Sequence, residues 1–261
     1  MSTPFRKHNG QTGAPTSRQT PDHAERLVQA ALKLCGQVNA LRFAQPVAHV
    51  YNPLDYAWVS HEQYLRRYGQ GRKRVVLLGM NPGPFGMMQT GVPFGEVAAV
   101  RHWMSIEAGI DPPAAEHPKR RIEGFACTRS EVSGRRLWGW AAERFGTADT
   151  FFSECFVLNF CPLVFLEASG RNRTPDQLPA AESGPLNTVC DEHLREAIAA
   201  TEPEWAIGIG GFAAKRLQIA LGKDSGVRIA QILHPSPASP AANRGWSEAV
   251  NRTLSELNIF D

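Results

Sequence analysis

The sequence predicts an α/β fold in three layers, a central parallel sheet of four strands with helices on both faces. Four short segments rich in β-branched and apolar residues, 74–79, 155–159, 205–210 and 227–233, lie far apart in the chain, and each reads as a buried strand. Stretches with apolar residues at helical spacing fall between them, and strands separated by helices indicate a parallel sheet covered on both sides. The 261 residues are 43% hydrophobic and 20% charged, the proportions of a soluble globular protein. A chain of this length buries roughly 70% of its unfolded surface, so its core needs neither disulfides nor a structural metal. Disorder, collagen and small stapled scaffolds are excluded.

Residues 1–20 are polar and rich in Ser, Thr, Gly and Pro, which predicts a disordered tail ahead of a single domain over 21–261. Residues 21–41 read as an amphipathic helix, with Leu27, Val28, Ala31, Leu32, Cys35 and Val38 at spacings of three and four. Strand 74–79 follows, then helices over 96–108 and 137–145. Strand 155–159, helix 189–200, strand 205–210, helix 212–220 and strand 227–233 come next, and helix 247–257 closes the chain. No repeat and no second domain is evident.

No apolar stretch approaches the roughly 20 residues that span a bilayer, and the tail lacks the apolar core of a secretory signal. The expected location is therefore the cytoplasm, at the nucleoid in a bacterium, or the nucleus in a eukaryote. Five cysteines without a C-x-x-C pair argue against a disulfide framework or a zinc ribbon. His61-Glu62 begins like a metalloprotease helix, but Leu65 stands where the second histidine would be needed. No metal and no cofactor is expected. The net charge is only +3, yet 22 of the 28 basic residues are Arg, many in clusters such as Arg66-Arg67, Lys119-Arg120-Arg121, Arg135-Arg136 and Arg171-Asn172-Arg173. Such clusters are either solvated faces or phosphate-binding surfaces, since guanidinium chelates phosphate oxygens with a rigid fork.

Ligands of open parallel sheets bind outside the carboxyl ends of the strands. Those ends carry Met80-Asn81-Pro82-Gly83-Pro84-Phe85-Gly86, Asn159-Phe160-Cys161-Pro162, Gly210-Gly211 and His234-Pro235-Ser236-Pro237. The first is a rigid turn that exposes backbone amides and permits close approach. The oxygen of Asn81 can hold a water there, although an Asx turn would also explain an Asn-Pro pair. Asn159 has the donor and acceptor that fit a nucleobase amide edge, or it caps backbone. His234, opposite two asparagines, reads as a donor to an oxyanion or as a satisfied core histidine. Gly208-Ile209-Gly210-Gly211-Phe212-Ala213 overlaps a degenerate dinucleotide pattern, but no acid ends the fourth strand to hold a ribose.

The run Gly79-Met80-Asn81-Pro82-Gly83-Pro84-Phe85-Gly86-Met87, continuing Gln89-Thr90-Gly91-Val92-Pro93-Phe94-Gly95-Glu96, resembles the first motif of the single-strand-selective monofunctional uracil-DNA glycosylases. His234-Pro235-Ser236-Pro237 with Asn243-Arg244-Gly245-Trp246 resembles their second. The similarity includes Tyr51-Asn52-Pro53-Leu54-Asp55-Tyr56-Ala57-Trp58, Ser130-Glu131-Val132-Ser133-Gly134 and Asn159-Phe160-Cys161-Pro162-Leu163, and it covers about residues 51–246.

The resemblance implies the uracil-DNA glycosylase fold and hydrolysis of the bond between deoxyribose and uracil, or 5-modified uracil such as 5-hydroxymethyluracil, in single- and double-stranded DNA. By position, Asn81 is the asparagine that places water and His234 stabilises the departing uracil anion. Asn159 reads the base edge, Phe94 stacks on the base, and backbone at Met80 with Gly83 beside the 5-position completes the pocket. The duplex-entering wedge corresponds to Pro235, Ser236, Pro237, Ala238, Ser239, Pro240 and Asn243, followed by Arg244. At its tip, where many members carry arginine, this chain has Ala238. Arg171 and Arg173 are expected to touch phosphates. No lysine directly follows any of the four strands, so no Schiff-base strand cleavage is expected. The partner is DNA, and the protein is expected to act as a monomer. The competing reading is a non-catalytic sensor of damaged or single-stranded DNA on the same fold.

Overall fold

The computed structural model describes residues 22–260, so the expected tail at 1–20 lies outside the described residues. In chain order the strands are β1 (Val47–Tyr51), β2 (Val75–Gly79), β3 (Cys155–Asn159), β4 (Val164–Glu167), β5 (Asn172–Arg173), β6 (Trp205–Ile209) and β7 (Arg228–Ile232). The α-helices are α1 (His23–Asn39), α2 (Pro53–Tyr56), α3 (Trp58–Tyr68), α4 (Met87–Thr90), α5 (Val132–Phe145), α6 (Ala148–Glu154), α7 (Ala180–Thr201), α8 (Gly211–Leu221), α9 (Pro240–Asn243) and α10 (Trp246–Glu256).

Four of these strands form one all-parallel sheet in the order β3-β2-β6-β7. They are the four that the sequence predicts, and their bounds differ from the expectation by at most one residue at either end. β2, β3 and β6 are buried along their whole length, which explains their unbroken apolar character. β7 is an edge strand, where Arg228 and Gln231 are exposed, Ile229 and Ala230 half-buried, and Ile232 alone is buried. The register pairs Gly79 with Asn159, which sets the ends of the two strands side by side.

The helices differ from the expectation where burial overrides local spacing. α1 buries Leu27, Val28, Ala31, Leu34 and Val38, whereas Leu32, expected on the packed face, is exposed. α7 begins nine residues before the expected start, and Pro185 lies inside it. Pro185, the sixth residue of α7, forgoes only the one hydrogen bond that its missing N–H would make to the carbonyl four residues back. The helix expected over 96–108 is cut short, to a helical segment that ends at Trp103. Residues Ala99–Trp103 make one wide turn, the Met104 carbonyl is taken by Tyr68 Oη at 2.8 Å, and Ser105 turns left-handed with φ 53°.

A second sheet lies outside the sequence expectation. β1, β4 and β5 form a three-stranded antiparallel sheet in the order β1-β4-β5. Its strands are two to five residues long, too short for alternation to stand out. It matters because it carries Asn172 to the main sheet's edge, where Asn172 Nδ2 donates to Pro82 O at 3.3 Å.

The glycine-rich turn after β6 serves packing. A β-carbon on Gly208 would overlap the backbone nitrogen of Ala214, so α8 lies on the sheet only because that carbon is missing. The overlapping atom is backbone and cannot rotate aside. Gly208→Ala is therefore expected to cost about 1–3 kcal/mol or more, in the range of core overpacking, and to lower the urea midpoint without changing the slope. A variant as stable as the parent would show that α8 shifts freely on the sheet.

Candidate active site

At the carboxyl ends of the parallel strands lies a cavity of about 290 Å³, near the lower end of the usual range for small-molecule sites. Its walls include Met80, Asn81, Pro82, Gly83, Phe94, Asn159, His234 and Ser236, together with Glu131, Ser133, Asn172 and Thr174. The strand order explains the convergence: Asn159 ends β3, Met80 to Gly83 follow β2, and His234 follows β7 on the far side of β6.

Each polar group has a defined orientation. Asn81 Nδ2 donates to Leu163 O at 3.2 Å, which anchors the amide nitrogen and leaves its oxygen as the unused acceptor. Ser236 N–H donates to His234 Nδ1 at 3.1 Å. A ring nitrogen that accepts carries no proton, so the ring is the neutral tautomer with its proton on Nε2. Burial acts in the same direction and lowers the His234 pKa below the ordinary 6.5. Asn159 is buried, its Nδ2 donates to Met87 Sδ at 3.3 Å, and its Oδ1 has no hydrogen-bond partner among the described residues. A buried acceptor without a donor is costly, and a ligand N–H would satisfy it.

The aromatic wall is held under strain. Phe94 adopts φ 52°, a conformation that bulky side chains rarely take. Two hydrogen bonds to its carbonyl fix it there, from Trp138 Nε1 at 2.8 Å and from Glu96 N at 2.7 Å. Gly134 on α5 permits the approach, because a β-carbon there would overlap Phe94 O. Gly79 plays the matching part on β2, where a β-carbon would meet both the Phe94 ring and Asn159 Oδ1.

Beside the cavity, residues 235–243 form a tight loop. Ser236 Oγ accepts from Ala238 N at 3.1 Å, Ser239 caps α9, and Asn243 Nδ2 donates to Pro237 O at 2.9 Å. Arg136 clamps this loop from α5, donating to Pro235 O at 3.1 Å, Ser236 O at 3.3 Å and Asn243 Oδ1 at 2.7 Å. Pro235 is buried, while Pro237, Ala238, Pro240 and Arg244 are exposed. Sequence reasoning assigns no role to Arg136 or Glu131. The only signals are the Arg135-Arg136 pair and the Ser130-Glu131-Val132-Ser133-Gly134 block.

The two arginines of the 171–173 cluster separate. Arg171 is exposed, whereas Arg173 lies largely covered, paired with Glu167 at 2.8 Å and donating to Gln177 O. Much of the remaining arginine is also ion-paired, with Arg66 on Glu25 and Glu62, Arg101 on Glu107 and Arg228 on Glu204. His61 is a buried ring hydrogen-bonded to Gly91 O at 2.7 Å, and burial lowers its pKa to about 4. It belongs to the core.

A family model described as the uracil DNA glycosylase superfamily matches residues 66–257. The single-strand selective monofunctional uracil-DNA glycosylase of Rattus norvegicus is 46% identical over 238 residues, covering 91% of this chain and 86% of that protein. The corresponding protein of Bos taurus is 45% identical, covering 91% and 88%. The crystal structure of wild-type Pedobacter heparinus SMUG2 superposes with a TM-score of 0.62 at 15% identity, covering 92% of this chain and 98% of that one, a likeness of fold. With the family model matched over most of its length and close to half of its residues shared with these relatives, the chain belongs to the uracil DNA glycosylase superfamily and, within it, to the single-strand selective monofunctional group.

Proposed function

We propose that the protein is a DNA repair glycosylase that takes a flipped-out uracil into this cavity and hydrolyses its N-glycosidic bond, leaving an abasic strand uncut. The proposed substrates extend to 5-modified uracils such as 5-hydroxymethyluracil, in single- and double-stranded DNA. The observation that carries the reading is the hydrogen bond from Ser236 N–H to His234 Nδ1, which leaves Nε2 as the proton-bearing nitrogen of a histidine that lines the same cavity as an anchored asparagine.

Cleavage leaves an oxocarbenium-like sugar and an anionic base, so the protein has mainly to stabilise charge. A neutral imidazole donates to uracil O2 as negative charge develops there, without passing on a proton. The free oxygen of Asn81 holds the attacking water on the sugar side. Asn159 Oδ1 accepts from N3–H of the base. Phe94 stacks on the ring and offsets part of the few kcal/mol that flipping costs. The exposed Pro237 and Ala238 enter the vacated stack, and the methyl of Ala238 fills it less than a guanidinium would. A non-catalytic sensor would need no neutral histidine aligned opposite an anchored asparagine.

Three outcomes are expected. Asn81→Ala should lose on the order of 100-fold or more in single-turnover uracil release, while binding to uracil-containing DNA persists. A rate within about threefold of the parent would reduce Asn81 to a loop residue.

The second outcome concerns pH. The folded midpoint of His234 lies below 6.5, so at pH 7 nitrogen NMR of the imidazole should report a neutral ring protonated on Nε2, with titration only below 6.5. A midpoint at or above 6.5, or a proton on Nδ1, contradicts the proposed donor.

The third is salt dependence. Arg171→Ala should flatten the slope of log affinity against log salt by up to roughly one unit, because a phosphate that no guanidinium neutralises keeps its counterions when the protein binds. Arg173→Ala, with its guanidinium already spent on Glu167, should leave the slope unchanged. The reverse order would show that the Glu167 pair opens on DNA.

A further inference from the structure

The loop after β2 carries, beyond the cavity wall, an aromatic ring against two cations. Phe85 is half-buried, and the guanidinium carbons of Arg129 and Arg120 lie 4.0 and 5.7 Å from its ring centroid. The fold uses the two arginines differently. Arg120 Nε donates to Gly170 O at 2.8 Å, which ties it to the hairpin between β4 and β5. Arg129 is exposed, and among the described residues its guanidinium donates no hydrogen bond and meets no carboxylate. The ring is its partner. Lys119 and Arg121 flank Arg120 in the chain, and both are exposed with no ion pair among the described residues. Arg66, Arg101 and Arg228 each lie on a carboxylate instead.

Three short tethers set this cluster beside the cavity. Phe85 stands two residues beyond Gly83, Arg129 two residues ahead of Glu131, and Gly170 two residues ahead of Asn172. Gly83, Glu131 and Asn172 all line the cavity. Two residues of chain span at most about 7 Å, close to the distance from one phosphate to the next along an extended strand. A nucleotide joined to one whose base fills the cavity therefore comes within reach of the ring and its cations.

We propose that Phe85 and Arg129 form a stacking platform for the base next to the flipped uracil in single-stranded DNA, with Lys119 and Arg121 supplying charge for its phosphates. The inference rests on the proposed function, which puts uracil in the cavity, and adds a second nucleotide subsite to it. A guanidinium is planar and weakly hydrated, so one face on Phe85 leaves the other for a base. Its charge strengthens contact with a π-system. Every base has a π-face, so the subsite tolerates any sequence beside the lesion. The strand it suits is single. There the neighbouring base is unpaired and turns onto the platform at the cost of its own stacking alone. In a duplex the same base is paired as well as stacked, and the pair would have to break before the base could turn. The platform thus favours single strands, while the loop at 235–243 serves the duplex.

The test uses the full-length protein and oligonucleotides carrying one uracil on 2′-fluorodeoxyribose, where the electron-withdrawing fluorine stops hydrolysis so that affinity is read directly. In single strands the nucleotide on either side is replaced in turn by a tetrahydrofuran spacer, which keeps the phosphates and lacks the base. For wild type, the spacer on one side should weaken binding about tenfold, the size of one stacked base. Arg129→Ala should lose about tenfold on the unmodified single strand and less on the duplex, and should no longer distinguish spacer from base. Arg129→Lys, which keeps the charge and loses the planar face, should match Arg129→Ala in the spacer comparison. Phe85→Tyr, which keeps the ring, should retain the spacer effect. Wild type indifferent to both spacers would overturn the platform. So would an Arg129→Ala loss that is equal on single strand and duplex, or one that Arg129→Lys restores, since either marks a plain phosphate contact. Wild type that releases uracil from ordinary deoxyuridine strands yet ignores the spacers would overturn the platform and leave the proposed function standing. Wild type that releases no uracil would overturn the proposed function, and the inference with it.

Discussion

The arrangement of the site depends on one close approach, that of the first turn of α5 to the backbone of Phe94. Gly134 lets the Phe94 carbonyl come against the helix, and Trp138 Nε1 then donates to it at 2.8 Å. These contacts hold a large aromatic residue at φ 52°, a conformation that costs about 1–3 kcal/mol when unsupported. The same end of α5 reaches both loops of the site. Glu131 lies against Gly83 and Gly86 after β2, and Ser133 and Arg136 reach Pro235 after β7. One rigid helix therefore sets the distance between two segments far apart in the chain. Helices place side chains more precisely than loops do, which is why the pocket can work with few groups.

The groups of the pocket are mostly uncharged and mostly pre-oriented by backbone. Leu163 O turns the Asn81 amide and Ser236 N–H selects the His234 tautomer. Neither bond has to rearrange when charge develops on a bound base, and preorganised dipoles in a desolvated site act far more strongly than the same groups in water. The one ionisable acid in the wall, Glu131, has its pKa raised to about 7 by burial and by Glu96. Its charge is thus lowered where an anionic leaving group would otherwise be repelled.

The arginine content divides in the same spirit. Arg173 is spent within the fold on Glu167, and Arg136 on the loop after β7. Exposed pairs such as Arg101 with Glu107 or Arg228 with Glu204 contribute little to stability. Arg120 and Arg129 lie over the Phe85 ring at 5.7 and 4.0 Å, a cluster of cation and aromatic in the loop after β2.

The sequence by itself determined the four parallel strands, and with them the placement of Asn81, Asn159 and His234 on one edge. A buried strand is a local run of apolar residues, and the rule that ligands meet its carboxyl end needs no knowledge of partners. The motif around Asn81 was legible for the same reason, since proline and glycine dictate a rigid turn from within. What the tertiary structure decided depends on contacts between distant segments. The three short strands of the second sheet are too brief to show a period, yet they carry Asn172 to Pro82. Whether an arginine meets Glu167 or solvent cannot be read from Arg171 and Arg173 standing two residues apart, because the partner is supplied by another turn of chain. Glu131 showed only as one residue of the Ser130-Glu131-Val132-Ser133-Gly134 block, with no role attached. Its position against Gly83 arises where α5 meets the loop after β2, and no local pattern records that meeting.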